Sequence, residues 1–296
     1  MTLAPIIIFA FNRPESLKTA VSALLQNPEA KESDLFVFVD GPRNDAEKAK
    51  TDATADYAHN IKGFKSLSVT VSSQNKGLGD SIIAGVSQII NRYGTAIIIE
   101  DDLIVQPNFL RFINLGLNKY KDEKEVFSIC GYTNKIKLPK GYTYDAYFCT
   151  RSSSWGWATW KDRWDSIDWK LEPWDKYTEL KKEFNRWGGS DCFGMLEGWK
   201  QGLNRSWAIR FCFNQFLQNK LSLFPVKSLV INDGFDGAGT NCKKWSRFRY
   251  ELMKRDKYEF DIQIPVTLNT YFLCESKRYH SIPARIISRI MYKVYK

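Results

Sequence analysis

The sequence predicts an α/β fold in which a mostly parallel, Rossmann-like sheet is flanked by helices. Two observations support this prediction. Short apolar runs that fit buried strands alternate with helical stretches over the first hundred residues, and such alternation is typical of parallel sheets. The chain has 296 residues, of which 44% are apolar, and this is enough to bury one substantial core.

Four strands and the helices between them follow one another in a regular order. The strands are predicted at 4–11, 34–41, 67–73 and 95–100. Pro14 begins the first helix, since its fixed φ suits the first helical turn. Asp80 or Ser81 caps the helix that precedes the fourth strand. The first strand is apolar throughout, as expected for a strand that is covered on both faces.

Polar side chains follow the end of each of these strands. In such sheets ligands bind outside the carboxyl ends of the strands, so we expect these side chains to share one crevice. The set comprises Asn12, Arg13, Asp40, Asn75, Lys76, Glu100, Asp101 and Asp102. The sequence therefore predicts a binding site at this edge of the sheet.

The acidic triplet Glu100–Asp102 directly follows a buried strand. Adjacent carboxylates repel one another, and the repulsion grows where water is scarce. A hard divalent cation such as Mg²⁺ or Mn²⁺ would relieve it, since these ions prefer oxygen ligands and can bridge a carboxylate to a diphosphate. Strand alternation would point Glu100 and Asp102 one way and Asp101 the other. The alternative is a solvated acidic turn that caps the following segment.

The composition limits the partners and the setting. A net charge of +10 indicates anionic partners, such as a nucleotide, a phosphorylated lipid, a membrane surface or nucleic acid. The N-terminus lacks the basic leader and cleavage site of a signal peptide, and no run is long enough to cross a bilayer. The six cysteines form no CxxC pair, so neither zinc nor a disulfide framework is expected. A reducing, cytoplasmic setting is the simplest expectation.

Several motifs together resemble a known family. They are FAFNRPESL, VFVDG, NKGLGDSIIAG, IIIEDDLIVQPNFL and TRSSSWGWATWKDRW. With these motifs the chain resembles the GT-A fold glycosyltransferases over about residues 4–242. Its EDDL motif is closest to N-acetylglucosaminyltransferase I and to bacterial sugar transferases of the family 2 type. The resemblance implies a GT-A sheet followed by a helical and irregular acceptor-side region.

The resemblance also implies roles for the residues at the strand ends. Asp102 would bind Mn²⁺ or Mg²⁺ directly, and the two acids before it would help to hold nucleotide or metal. Arg13 carries a fork of donors suited to phosphate, although it could also face solvent at a helix start. Asp40 would accept a hydrogen bond from the base, or it could simply begin a turn. The residues expected to hold the donor are Asn12, Arg13, Asp40, Asn75, Lys76, Gly77, Glu100 and Asp101.

An inverting transfer, which the resemblance implies, needs a base to take the proton from the attacking hydroxyl. The candidates downstream of the metal motif are Asp191, Glu197, Asp233 and Asp236. Asp191 lies where the resemblance places the base, just before a predicted helix, and Glu197 is the alternative. Ser190 or Asp191 would also serve as a plain helix cap. His59, in a polar helical stretch, and His280, in the tail, are not expected to compete.

The acceptor is expected to meet the Trp-rich segment 155–169. Aromatic faces can pack against the apolar face of a sugar ring. Trp155, Trp157 and Asp236 are the candidates for acceptor binding, and the other tryptophans are expected to pack in the core. In the Gly-rich loop, relatives are expected to carry a His where this chain has Asn241, so a third protein ligand to the metal is doubtful there.

The tail 281–296 has the pattern of an amphipathic helix. Its apolar residues fall on one face, and Arg285, Arg289, Lys293 and Lys296 recur on the other. This combination suits a helix at the surface of an anionic membrane, although a terminal helix docked on the core would look similar.

The sequence predicts three regions: a nucleotide-sugar-binding half (1–105), an acceptor-side half (106–250) and a basic C-terminal extension (251–296). It predicts a cytoplasmic, membrane-peripheral, metal-dependent glycosyltransferase that moves a sugar from a nucleotide donor, expected to be UDP-linked, to a glycan or lipid-linked glycan. A sugar nucleotidyltransferase and a non-catalytic carbohydrate-binding protein are the alternatives. Nucleic acid is not an expected partner, because the aromatic residues do not interleave with a basic stripe.

Overall fold

A computed structural model describes residues 2–234 and 246–294 of the chain. The strands in these ranges are β1 (Ile6–Ala10), β2 (Asp34–Val39), β3 (Ser66–Val71), β4 (Thr95–Glu100), β5 (Leu103–Val105), β6 (Val126–Cys130), β7 (Ala146–Cys149), β8 (Trp157–Trp160), β9 (Leu221–Pro225) and β10 (Val230–Asn232). Eight of them form one sheet in the order β3-β2-β1-β4-β8-β6-β9-β7, and β5 pairs with β10 in a separate ribbon.

The helices lie in the connections between strands and in the C-terminal part. They are α1 (Pro14–Leu24), α2 (Asp45–His59), α3 (Leu78–Tyr93), α4 (Phe109–Lys119), α5 (Lys161–Asp165), α6 (Asp175–Thr178), α7 (Lys181–Gly188), α8 (Cys192–Lys200), α9 (Trp207–Leu217), α10 (Thr270–Arg278) and α11 (Ile282–Val294), with a 3₁₀ helix at Pro28–Glu32. In the described part of the chain, no helix is both long enough and apolar enough to cross a bilayer.

The first half of the sheet is parallel, as the sequence predicts. β1 pairs with β2 and with β4, and β2 pairs with β3, all in parallel register. The four strands are each confirmed within a few residues of their predicted bounds. Their order, β3-β2-β1-β4, is the first part of the doubly wound arrangement, in which ligands bind beyond the carboxyl ends of the strands.

β8 changes the direction of the sheet. It lies antiparallel between β4 and β6, while β9 runs parallel to β6 and antiparallel to β7. Four of the seven pairings within the eight-stranded sheet are therefore parallel, which confirms a mostly parallel α/β fold. The central strands carry apolar side chains on both faces because helices cover both faces of the sheet.

The two faces of β1 show how the core is divided. Ile6 and Ile8 point into one hydrophobic cluster, which the sheet shares with α1 and α4. Ile7 and Phe9 point into the other, which lies under α3 and α9. Alternate side chains of a strand face opposite sides, so one short apolar run supports both layers. This packing fixes the strand ends on which the site is built.

The segment from residue 246 to the start of α10 runs along the core. Lys135 and Asp145 donate backbone hydrogen bonds to the carbonyls of Arg249 and Asp261. The Tyr120 hydroxyl donates to the carbonyl of Ile262. Phe272 of α10 is buried and stacks on Tyr147, with ring centroids 4.5 Å apart. The C-terminal part is thus tied to the same core as the sheet.

Candidate functional site

The acidic triplet and Arg13 meet at the carboxyl ends of β1 and β4. Arg13 is the N-cap residue of α1, and its Nη1 lies 3.6 Å from Oδ2 of Asp102. The Asp101 carboxylate accepts a hydrogen bond from the backbone N–H of Phe11 at 3.2 Å. β4 ends at Glu100, and Asp101 and Asp102 lie in the turn that follows. We expected alternation along a strand to set the directions of Asp101 and Asp102. That expectation is wrong, because both residues lie in a turn.

The acids repel one another in a setting poor in water. Burial raises the pKa of Glu100 well above its usual range, and the charges of Asp102 and Asp101 raise it further. Burial and the Asp102 charge raise the pKa of Asp101 to about 7. The hydrogen bond from Phe11 and the charge of Arg13 oppose this rise only in part. The ionised forms of these acids are therefore disfavoured by their surroundings, and a bound cation would stabilise them.

The donor atoms of this cluster fit Mg²⁺ or Mn²⁺. Within the described residues, no three His, Cys, Asp or Glu side chains form a ready-made metal cage. Mg²⁺ does not require one, because it commonly takes one or two carboxylates, waters and substrate phosphates. The residues after β10 approach Asp102: its carbonyl accepts from the N–H of Asp233 at 2.9 Å, and a Cβ on Gly234 would overlap its carboxylate. Asp236 and Asn241 lie outside the described residues.

Asp40 organises the loop that follows β3. Its carboxylate accepts backbone hydrogen bonds from Gly41 at 3.0 Å and from Lys76 and Gly77 at 2.9 Å. The Asn75 amide closes the same contact by donating to the carbonyl of Gly41 at 2.9 Å. A Cβ on Gly41 would lie 2.6 Å from the Gln74 carbonyl carbon, so the two backbones can approach only at a glycine. The loop 75–79 is thereby held at the same edge of the sheet.

Asn12 also lies at this edge of the sheet, and so does Arg205, which the sequence analysis did not predict. The Asn12 amide donates to Glu47 of α2 at 3.4 Å. The side chain of Arg205, just before α9, lies against Gly77, whose φ is +81°. A Cβ there would be 3.2 Å from its Nη1. Arg205 brings a further cation to this loop through tertiary packing, and no local motif in the sequence indicates it.

Trp157 is almost completely buried, so a sugar cannot reach its ring in this structure. Only 1% of its surface is exposed, and its ring stacks on Trp207 at 4.9 Å between centroids and meets Phe211 at 5.0 Å. The prediction that it binds the acceptor is wrong, because its position in β8 turns it into the core under α3 and α9. Trp155, two residues earlier, precedes that strand and is only half-buried.

Trp155 lines a cavity of about 220 Å³. Its wall also includes Tyr132, Asn134, Arg151, Phe248 and His280. Rings and hydrogen-bonding groups thus face the same space, which is the mixture that sugar-binding sites use. β10 connects the segment beside Trp155 to the acidic turn. Gly156 follows Trp155 and packs against Val230, and the chain after β10 reaches Asp102.

Asp191 lies in a buried ion pair beside this cavity. Its Oδ1 accepts from Nη1 of Arg151 at 2.7 Å and its Oδ2 from Nη2 at 3.2 Å, with Arg247 3.9 Å away. Burial alone would raise the pKa of Asp191, but Arg151 and His280 outweigh it, and the pKa lies well below its usual range. Asp191 is the N-cap residue of α8, yet its side chain makes no capping bond, so the plain-cap alternative is wrong.

His280 belongs to the same cluster, although the sequence placed it in the tail and excluded it. Its Nδ1 lies 3.8 Å from Oδ2 of Asp191, and its ring lines the cavity. Burial and the Arg151 charge lower the pKa of His280 to about 4, so the ring is neutral near pH 7. Glu197, in contrast, lies on α8 with 37% of its side chain exposed and pairs with Lys181 at 3.3 Å.

We expect His280 to make the fold less stable in mild acid. In the unfolded chain its pKa returns to about 6.5, whereas in the fold it is about 4, so protons bind the unfolded state first as the pH falls. The free energy of unfolding should drop by about 2 kcal/mol between pH 8 and pH 5 from this residue alone.

Urea titrations at several pH values measure this drop. His280→Asn should remove this part of the pH dependence, and His59→Asn, an exposed position, should keep it. Equal dependence in all three proteins would contradict the assignment.

No protein-family model and no curated protein matches the sequence. Solved structures align with part of the chain. TarS from S. aureus is 12% identical with a TM-score of 0.40, over 77% of this chain and 35% of TarS. The galactosyltransferase LgtC, bound to donor and acceptor sugar analogues, is 14% identical with a TM-score of 0.34, over 60% of this chain and 65% of LgtC.

A nucleotide-diphospho-sugar transferase from Desulfovibrio desulfuricans G20 is 14% identical with a TM-score of 0.30, over 57% of this chain and 71% of that one. This chain therefore spans about a third of the TarS chain and just under two thirds of LgtC. Two of the three structures are named as sugar transferases.

Proposed function

We propose that the protein is a metal-dependent, inverting glycosyltransferase that moves a sugar from a nucleotide-diphosphate donor, with UDP as the nucleotide, to a glycan or lipid-linked glycan. The observation that carries the proposal is the convergence of Arg13, Asp102 and the loop held by Asp40 at one edge of the sheet. An arginine side chain, a carboxylate cluster and a backbone loop lie together at the carboxyl ends of parallel strands, and this combination suits a nucleotide diphosphate.

Each part of this edge has a task in the proposed reaction. The loop 75–79 would line the nucleoside, and Arg13 and Lys76 would offer donors to the diphosphate. Asp102 would hold Mn²⁺ or Mg²⁺, with Asp101 and Glu100 behind it. When bound, the cation would neutralise the charge that develops on the leaving diphosphate.

The acceptor would enter the cavity beside Trp155. Its hydroxyl would be placed by the polar groups of the wall, and Trp155 would pack against its ring. Asp191 is the proposed base, with Glu197 as the alternative. Two lone pairs of the Asp191 carboxylate accept from Arg151, and this pairing lowers its pKa and weakens it as a base, although its remaining lone pairs are available to the acceptor hydroxyl. Such an enzyme would work at the inner face of the cytoplasmic membrane, where lipid-linked acceptors are found.

A panel of nucleotide sugars with Mn²⁺, scored by the release of free nucleoside diphosphate, tests the proposal. We expect one donor to be turned over in the presence of an acceptor extract and the turnover to stop when the metal is chelated. Release of pyrophosphate instead would identify a sugar nucleotidyltransferase. Glycan binding without any turnover, unchanged in Asp102→Ala, would identify a carbohydrate-binding protein. Failure of every donor to react or to bind with metal dependence would overturn the proposal.

A further inference from the structure

Helix α11 presents an apolar row to solvent. The exposed fractions of its large apolar residues are 61% for Ile282, 51% for Ile286, 54% for Ile287, 56% for Ile290 and 68% for Val294. Residues four apart lie above one another on a helix, so Ile282, Ile286, Ile290 and Val294 form one continuous row. An uncovered row of this size marks a surface that binds a partner or a membrane.

The opposite side of α11 faces the core and carries Ala284, Met291 and Tyr292 beside two polar residues, all of them buried or half-buried. Ser288 is buried, and Arg285 donates from Nη1 to the carbonyl of Ser190 at 3.1 Å. Tyr292 raises the pKa of Arg247 and Arg285 lowers it, so both lie near this residue, which is 3.9 Å from Asp191. A docked surface helix usually turns its apolar stripe toward the core. In α11 the isoleucines face solvent instead, so docking on its own protein does not explain them.

The charges beside the apolar row indicate what covers it. Arg289 and Lys293, also four apart, are exposed along one edge of the row. The helix contains no Asp or Glu. A second copy of the chain packed on this row would bring four cations together with no acid on either helix to pair with them. An anionic lipid surface satisfies both the apolar row and the cations.

We propose that α11 is an interfacial helix that lies flat in the surface of an anionic bilayer, with Ile282, Ile286 and Ile290 inserted. Thirteen residues give a helix of about 20 Å, too short to span the hydrocarbon core, so the helix lies along the membrane. Its cations reach the headgroups, and the side opposite the isoleucines stays on the protein.

The attachment of α11 places the cavity next to the bilayer. Arg285 binds the carbonyl of Ser190, and the next residue, Asp191, is paired with Arg151 in the cavity wall. His280, two residues before the helix, also lines the cavity. The membrane surface would thus pass beside the opening that the proposed acceptor uses. The membrane contact itself does not depend on the proposed enzyme activity.

Co-sedimentation with lipid vesicles, without donor or acceptor, tests the contact. We expect binding to phosphatidylcholine vesicles that contain phosphatidylglycerol and much weaker binding to phosphatidylcholine alone. The double variant Ile286→Glu/Ile290→Glu should lower the binding by about tenfold or more. The matched variant Ile286→Leu/Ile290→Leu should keep it. Arg289→Gln/Lys293→Gln should remove most of the preference for anionic lipid and its sensitivity to salt.

Thermal unfolding of each variant separates lost binding from lost folding. Both Ile286 and Ile290 are mostly exposed, so their exchange for Glu should leave the midpoint nearly unchanged. Equal vesicle binding by the wild-type and the Glu variant would overturn the proposal. So would a wild-type dimer in light scattering that the Glu variant lacks, since a second copy would then cover the row. Neither result would bear on nucleoside diphosphate release, which tests the proposed function separately.

Discussion

Replacing Asp102 with alanine is expected to lower nucleoside diphosphate release by at least about a thousandfold. Asp102 is the acid that Arg13 and the chain after β10 both approach, at 3.6 Å from the Arg13 guanidinium. Without its carboxylate the proposed site loses the ligand that would join metal and diphosphate. No neighbouring acid is expected to replace it, because Asp101 already accepts a hydrogen bond from the Phe11 N–H and Glu100 belongs to β4.

The same substitution should not weaken the fold, and this separates a role in the reaction from a structural one. The Asp102 charge raises the pKa values of Glu100 and Asp101, so removing it relieves repulsion. We expect the free energy of unfolding to stay the same or to rise. Asp122→Ala is the matched control, since 86% of that side chain is exposed and it lies far along the chain from the cluster. Undiminished turnover in Asp102→Ala, or a loss that merely follows unfolding, would contradict the proposed role.

Replacing Asp191 with asparagine is expected to destabilise the protein by about 3–5 kcal/mol. The carboxylate is 9% exposed and accepts two hydrogen bonds from the Arg151 guanidinium, whose side chain is 15% exposed. Asparagine is similar in size but carries no charge, so the largely buried guanidinium groups of Arg151 and Arg247 would lose their shared anion. Leaving a buried charge without its partner costs more than the ion pair contributes as a whole.

A double-mutant cycle with urea titrations measures this effect. Arg151→Gln/Asp191→Asn removes both charges and should recover part of the stability that Asp191→Asn loses. Glu197→Gln is the matched control, because the ion pair of Glu197 with Lys181 is exposed and should contribute at most about 1 kcal/mol. A change below about 1 kcal/mol in Asp191→Asn would show that the pair is not buried as described.

The same variants test the proposed base below their unfolding temperatures. If Asp191 takes the proton, turnover should fall in Asp191→Asn even where the protein is folded, while KM for the donor changes little. If Glu197 is the base, Glu197→Gln should lose turnover without losing stability. The turnover of His280→Asn provides a third comparison, because His280 lines the same cavity and its Nδ1 lies 3.8 Å from Asp191.

The first half of the fold could be predicted because its signals are local. Runs such as Ile6–Ala10 and Thr95–Glu100 are apolar on both faces, and only a strand inside a covered sheet tolerates this pattern. Parallel strands end at one edge, so the polar residues after them had to meet there. The contact between Arg13 and Asp102 follows directly from this rule, although 88 positions separate the two residues in the sequence.

The acceptor side could not be predicted in the same way. The segment Trp157–Trp160 was expected only as a Trp-rich stretch, and pairing with β4 and β6 makes it a central strand. That pairing buries Trp157 and leaves Trp155 in the cavity wall. Nothing in the local sequence distinguishes the two rings, because the register of a strand depends on its distant partners.

The sequence by itself determined the α/β class, the parallel first half, the crevice of polar side chains and the amphipathic character of the tail. Tertiary structure alone decided that Arg151 holds Asp191, that His280 returns to the cavity, and that α11 turns its isoleucines outward. The physical reason is the distance along the sequence over which each property is determined. Strand and helix periodicity are properties of neighbouring residues, whereas burial and charge pairing depend on segments that meet only when the chain has folded.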